Sequence, residues 1–115
     1  MKFVGDVDTP SDPVFVTPYF VVHFLWSFIF YLVLSKVLQP QYSFILLMIL
    51  HGAYEVKDVV FTKDNSIPNS VGDTLASVLG WYAGYYIGKD VRRVDIMSFI
   101  LLAITIQLTV KEKAR

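Results

Sequence analysis

Cysteine is absent from this chain of 115 residues, and neither sign of charge is in excess, since ten basic and ten acidic side chains cancel. Without cysteine there are no disulfides and no thiolate metal sites. Without a basic stripe or net positive charge, nucleic acid is not expected as a partner. Charged residues are also scarce inside long apolar stretches; hydrophobic residues make up 55% of the chain and the mean hydropathy is +0.54. This distribution is typical of a protein whose apolar stretches lie in a lipid bilayer.

Four apolar stretches are long enough to cross a bilayer as helices, at roughly 1.5 Å per residue. They cover residues 18–38, 42–61, 70–88 and 94–110. The segment before them, MKFVGDVDTPSDP, lacks the basic start and apolar core of a cleavable signal peptide, so we expect the first stretch to be retained. The sequence predicts an all-α fold with one domain over residues 1–115, a multi-pass integral membrane protein built as a bundle of four transmembrane helices. The alternative, a soluble all-α domain, is disfavoured because Phe20–Leu34 lacks a polar face.

Four spans would place both termini, and the loop between the second and third helices, on one side of the membrane. The basic residues expected on that side are Lys2, Lys57, Lys63, Lys111, Lys113 and Arg115. Those expected on the other side are Lys36, Lys89, Arg92 and Arg93. The excess on the first side predicts cytoplasmic termini, although the basic cluster over residues 89–93 favours the opposite orientation.

The third stretch carries a small residue at every fourth position. This small-residue strip consists of Gly72, Ala76, Gly80, Gly84 and Gly88. Lipid tails provide no hydrophobic drive for helices to associate, so close backbone approach at small residues supplies van der Waals contact instead. The strip predicts either packing within the bundle or an interface with a second copy or a partner membrane protein.

Each stretch also carries one narrow polar stripe at helical spacing. The stripes consist of His23 and Ser27; of His51, Glu55 and Asp58; of Asp73 and Ser77; and of Ser98, Thr105 and Thr109. Ionisable groups in membrane spans are costly and usually face the bundle interior or a wet cavity. We therefore expect all four stripes to face inward.

The ionisable stripe residues lie at similar depth, on the side of the termini. This predicts an acidic pocket with two imidazoles, open to that side, with Tyr19, Tyr54 and Lys57 at its rim. Simpler roles are also open. Asp73 follows the expected N-caps Asn69 or Ser70 closely enough to cap the third helix. Asp58 and Lys57 can lie among lipid headgroups, and the two histidines can form only interhelical hydrogen bonds.

His51 and Glu55, one helical turn apart, can ligate a divalent cation from one helix face, with Asp73 or His23 as a further ligand. They can equally share a proton as a Glu–His pair. No nucleophile elbow, phosphate-binding loop or zinc-protease motif is present. Whether the protein is an enzyme stays open at this point.

The stripe residues resemble the pattern of the VanZ-like family of small membrane proteins. The matching residues are His23 in the first helix, Glu55 near the end of the second, and Ser70, Asp73, Ser77 and Gly80 in the third. The family often has Gln where Asp58 stands, Asn where Ser77 stands, and an Arg before the Ser. The resemblance implies a bundle of about four helices and a role at the cell envelope or with lipid headgroups.

Three functions are compatible with these patterns. The first is a membrane protein whose pocket, formed by Glu55, Asp73, His51 and His23, with Asp58 and Ser77, binds or acts on a polar headgroup or a cation. The second is an assembly or accessory subunit that docks a partner through the small-residue strip. The third is a small proton or cation transporter, which would need a dimer to supply a second half.

Overall fold

The computed structural model describes residues 1–113, and four α-helices make up most of it. The elements are β1 (Lys2–Val4), β2 (Val14–Val16), α1 (Tyr19–Leu34), α2 (Pro40–Val56), α3 (Ile67–Ile87) and α4 (Arg93–Lys113). A π-helical turn, Lys57–Phe61, continues α2, and a 3-10 turn, Gly88–Asp90, follows α3. The helical part of the predicted fold is thus confirmed. Arg115, used in the orientation argument, lies outside the described residues.

The start of α3 differs from the prediction. Its N-cap is Ser66, whose Oγ accepts a hydrogen bond from the Asn69 backbone N–H at 3.2 Å. Pro68 occupies the first turn, where its missing N–H removes no helical hydrogen bond. The helix therefore begins at Ile67, and the prediction that Asn69 or Ser70 caps it is wrong.

Helix α1 lies at the centre of the bundle. It packs along α3 and against α4, whereas α2 makes smaller contacts with α1 and α3. The apolar core consists of Phe28, Tyr31, Leu32, Leu47, Trp81 and Ile96. The Trp81 indole N–H donates to Ser43 Oγ at 2.9 Å, so the largest core side chain has its polar atom satisfied.

The small-residue strip faces this chain's own N-terminal half. A Cβ atom added at Gly72 or Gly80 would overlap the carbonyl oxygen of Phe15 or Phe24, respectively. Ala76, between the two glycines, is fully buried. Here the strip allows helix backbones to approach closely, as one of the two predicted roles requires.

The far end of the strip contacts side chains of α1. A Cβ atom at Gly84 would lie 2.9 Å from Tyr31 Cβ, and one at Gly88 would lie 2.7 Å from Leu32 Cδ2. The strip is therefore covered by α1 and by the residues before it.

Within residues 1–113, one helical segment is long and apolar enough to cross a membrane. It is Arg93–Lys111, with a mean hydropathy of 1.7 and only 17% of its apolar window buried, unlike the core helix of a soluble protein. Helix α1 is apolar but has 16 residues. Helix length and hydropathy identify one candidate span in the described residues where the sequence predicts four, because α1 is short and α2 and α3 contain more polar residues.

The residues before α1 depart from a purely helical fold. Strands β1 and β2 pair in parallel, with Lys2 opposite Val14 and Val4 opposite Val16. The Asp8 carboxylate joins this segment to α3, since it accepts from the backbone N–H groups of Val14 at 2.7 Å and Ser66 at 2.8 Å. The segment lies over the start of α3.

Candidate functional site

Three helices bring together four of the predicted site residues, which we call the His–acid cluster: His23, His51, Glu55 and Asp73. His23 Nε2 lies 3.3 Å from Asp73 Oδ2, and His51 Nε2 lies 3.5 Å from Glu55 Oε1. The two imidazole rings meet edge to face, with centroids 5.5 Å apart. Residues separated by up to 50 positions in sequence therefore form one polar group between α1, α2 and α3.

Glu55 is the most unusual member of the cluster. Its side chain is buried at 6% exposure, and neither carboxylate oxygen has a hydrogen-bond partner within the described chain. His51, at 3.5 Å, and the Ser70 hydroxyl both approach the carboxylate, but neither meets it with hydrogen-bond geometry. Buried carboxylates are normally paired, because leaving one unsatisfied is costly. Both oxygens are thus available to a proton, an ion or a ligand group.

His51 is held through both ring nitrogens. Nε2 lies 3.0 Å from Thr74 Oγ1, and Nδ1 lies 3.4 Å from Ser77 Oγ. The Thr74 hydroxyl already donates to the Ser70 carbonyl at 2.9 Å, so it accepts from His51 when Nε2 carries the proton. Ser77, a predicted site residue, thus contacts the cluster through His51.

Asp73 does not cap α3. The helix begins at Ile67, so Asp73 lies in the second turn, beyond the free N–H groups that a cap would satisfy. Its side chain is buried and is paired with His23. The capping role expected from sequence is therefore wrong.

Asp58 lies beside the cluster rather than in it. It is buried at the start of the π-helical turn, and Lys57 Nζ lies 3.0 Å from its Oδ1. Its backbone carbonyl accepts from Asp64 N–H at 2.8 Å. Asp58 thus contributes negative charge to the cavity described next.

A polar cavity of about 530 Å³ lies over the cluster. Its carboxylates come from Asp6, Asp8, Asp58, Asp64 and Asp73, against the cationic side chains Lys57 and Lys111. The predicted rim residues Tyr19, Tyr54 and Lys57 all line it, as does His23. Sequence reasoning missed Asp6, Asp8 and Asp64 because they lie in non-helical segments, where no periodicity indicates a direction.

A second, mostly apolar groove of about 270 Å³ runs between α1 and α2. It is lined by Trp26, Phe30, Leu47 and Leu50 and ends at the cluster residues His23 and His51, with Ser77. His23 and Tyr54 line both the groove and the polar cavity. The two spaces therefore adjoin at these two side chains.

The prediction that the polar stripe of α4 faces inward is wrong. Ser98, Thr105 and Thr109 are exposed, and each hydroxyl donates to the carbonyl four residues earlier in its own helix. Such back-bonding satisfies the hydroxyl without a partner helix. From α4, Gln107 lines the cavity instead, and its Oε1 accepts from the Trp26 indole N–H at 2.8 Å.

The cluster contains one of the two predicted metal-ligand sets. His23, His51 and Glu55 each place a ligand atom within 4.8 Å of the others. The sequence left Asp73 and His23 open as the further ligand beside His51 and Glu55; in the structure Asp73 is paired with the His23 ring.

Comparisons with known proteins add no relative. No family model matches the chain, and neither a curated protein nor a solved structure matches it.

Proposed function

We propose that this is a small membrane protein whose cavity binds a polar lipid headgroup of cationic or hydrogen-bond-donating chemistry. The proposal has two parts, the membrane location and the ligand. The likeness to the VanZ-like family supports the membrane location and the ligand, since three residues of this chain that carry the likeness, His23, Glu55 and Asp73, are members of the His–acid cluster.

The membrane location is supported by an inverted distribution of side chains in α2. Ile45 and Ile49 are 54% and 61% exposed, whereas Ser43, His51 and Glu55 are buried. A helix of a water-soluble domain shows the opposite pattern, with its polar face outward.

Helix α3 has the same inverted distribution. Leu75 and Leu79 are exposed, whereas Asp73 and Ser77 are buried. Buried polar side chains, which lipid would not contact, account for part of the low average hydropathy of α2 and α3. Their outward faces are apolar, as expected for helices surrounded by acyl chains.

The observation that carries the ligand proposal is the junction of cavity and groove at His23 and Tyr54. A ligand that fills both spaces needs a polar end and a hydrocarbon end, which is the structure of a lipid. The cavity has more carboxylates than cationic side chains, so it favours an amine headgroup over a phosphate-only headgroup. The small-residue strip is covered by this chain, so an assembly role through it has no free surface.

The test is lipid retention by the purified full chain. We expect native mass spectrometry to show preferential retention of phosphatidylethanolamine over phosphatidylglycerol from an equal mixture. Asp73→Asn should reduce that preference about tenfold, whereas Asp95→Asn, at the exposed Arg92 pair away from the cavity, should leave it unchanged.

A competition experiment distinguishes binding of the whole lipid from binding of a free amine. Ethanolamine alone should compete with the bound lipid only weakly, because it cannot fill the apolar groove. Equal retention of both lipids by the parent protein would overturn the proposal.

A further inference from the structure

We propose that the His–acid cluster is a binding site for one divalent transition-metal ion, with His23, His51 and Glu55 as ligands and Asp73 as the residue that orients His23. The inference rests on the proposed function only in location, since His23 and Asp73 also line the cavity proposed for the headgroup. It assigns to Asp73 a role different from the one expected from sequence.

The donor set identifies the class of metal. Two imidazole nitrogens and one carboxylate oxygen are the protein ligands of many catalytic zinc sites, and of non-haem iron sites with open positions. Magnesium and calcium prefer oxygen ligands throughout, so they fit this set poorly. Because there is no cysteine in the chain, copper(I)-type thiolate sites are excluded.

The distances are close to those that a metal requires. Two ligands bound at ~2.1 Å in tetrahedral geometry stand roughly 3.4 Å apart. His51 Nε2 and Glu55 Oε1 are 3.5 Å apart, and all three ligand atoms lie within 4.8 Å of one another. The ligand atoms are therefore at most about 1.4 Å farther apart than a tetrahedral metal ion would hold them.

The free carboxylate of Glu55 is the second, independent observation that points to a ligand. It is buried, and both of its oxygens are unpartnered within residues 1–113. A cation bound between Glu55 and the imidazoles would satisfy this carboxylate in exchange for one existing hydrogen bond, that of His51 Nε2 with Thr74 Oγ1. A purely structural carboxylate would instead be expected to have a partner from the chain.

The surroundings of both histidines match those of metal ligands. A ligating histidine usually donates its other ring N–H to a carboxylate or another acceptor. His23 Nε2 faces Asp73 Oδ2 at 3.3 Å, which leaves Nδ1 for the metal. His51 can donate from Nδ1 to Ser77 Oγ at 3.4 Å, which leaves Nε2 unprotonated on the side of Glu55, and a metal there would replace its contact with Thr74 Oγ1.

Cobalt(II) titration of the full chain in detergent, purified without a histidine tag, tests the site. Both histidines of the sequence belong to the cluster, so any cobalt–imidazole absorption band reports on this site alone. We expect one cobalt per chain, displaced stoichiometrically by zinc or by iron(II), and the displacement order identifies the preferred metal. No band, or less than about a tenth of an equivalent bound, would overturn the proposal.

Variants separate the ligands from the orienting residue. We expect Glu55→Gln and His51→Gln to weaken cobalt affinity at least 100-fold, and Asp73→Asn to weaken it 10- to 100-fold with the band retained at saturation. Asp95→Asn should have no effect. An unchanged affinity in Glu55→Gln, with its thermal unfolding intact, would contradict the assignment of Glu55 even if His51→Gln failed to fold.

The outcome is independent of the lipid experiment. Loss of amine-lipid preference with cobalt binding intact would overturn only the proposed function. Retained lipid preference without cobalt binding would overturn only the metal site.

Discussion

Asp8 shows how a single residue outside the helices holds the cavity in shape. Its carboxylate accepts from the backbone N–H groups of Val14 and Ser66 and from Ser66 Oγ at 2.7 Å. Val14 and Ser66 are both buried, so their N–H groups have few other acceptors within reach. The strand segment is thus fixed to the start of α3 by Asp8 together with the Asn69 side chain, which donates to the Val14 carbonyl at 3.0 Å.

We predict that Asp8→Asn lowers the free energy of unfolding by about 1–3 kcal/mol. One oxygen becomes an amide NH₂ group that faces buried donors, and hydrogen bonds to charged groups are the stronger kind. Chemical unfolding in detergent micelles measures the effect. Asp6→Asn is the matched control, since Asp6 is exposed and also lines the cavity. An equal loss in both variants would contradict the role given to Asp8.

At this scale the sequence predicts some site residues well and others not at all. His23, Glu55 and Asp73 were identifiable because a polar side chain inside an apolar stretch is costly unless it faces the interior. The pairing of His23 with Asp73 was less predictable, because packing sets the relative rotation of the helices. Asp8 carried no signal, since its role depends on a loop folding back over α3.

Among the elements, the contact of α3 with α1 depends most on glycine. The backbone of α1 at Phe24 lies so close to Gly80 that no Cβ fits, whereas a Cβ at Gly52 in α2 would meet nothing within 4 Å. Alanine at these two positions should therefore have opposite effects on the stability of the fold, although both glycines lie inside helices.

We predict that Gly80→Ala destabilises the fold by about 1–3 kcal/mol, because the methyl group pushes α3 away from α1. Gly52→Ala should be stabilising by roughly 0.5–1 kcal/mol, since alanine is the better helix former and has room. Thermal unfolding of the two single variants beside the parent checks the signs. Stabilisation by both substitutions would show that α1 and α3 do not meet at Gly80.

The helices themselves were predictable from the apolar stretches, but their ends were not. Ser66 caps α3, although the sequence predicted Asn69 or Ser70 as the cap. The pattern could not distinguish them, because all three residue types are good N-caps. Strands β1 and β2, of three residues each, were too short for a pattern of alternation to appear. Besides pairing with each other, the strands are held by Asp8, in the loop between them, and by Asn69 of α3, which bind the backbone N–H and carbonyl of Val14, respectively.

For the whole molecule, the membrane is the largest proposed partner, and the lack of cysteine makes it directly testable. Single cysteines can be placed one at a time and labelled with a maleimide that does not cross membranes. Ile49→Cys and Leu79→Cys replace exposed side chains in the middle of α2 and α3, whereas Lys63→Cys replaces an exposed residue between those helices. All three positions are accessible in the isolated chain, so their labelling rates should differ when a bilayer surrounds the helices.

We predict that in native membranes Lys63→Cys is labelled rapidly, whereas Ile49→Cys and Leu79→Cys are labelled only after detergent denaturation. A thiol in hydrocarbon has no water to support the reactive thiolate. The four spans predicted from the sequence further require Lys2→Cys to react from the same side of the membrane as Lys63→Cys, and Lys36→Cys and Lys89→Cys to react from the other side. Those four lysines lie at exposed loop or terminal positions, so each cysteine tests topology rather than burial. Equal rates at Ile49→Cys and Lys63→Cys would refute the multi-pass arrangement, and opposite sides for Lys2→Cys and Lys63→Cys would refute the four-span topology.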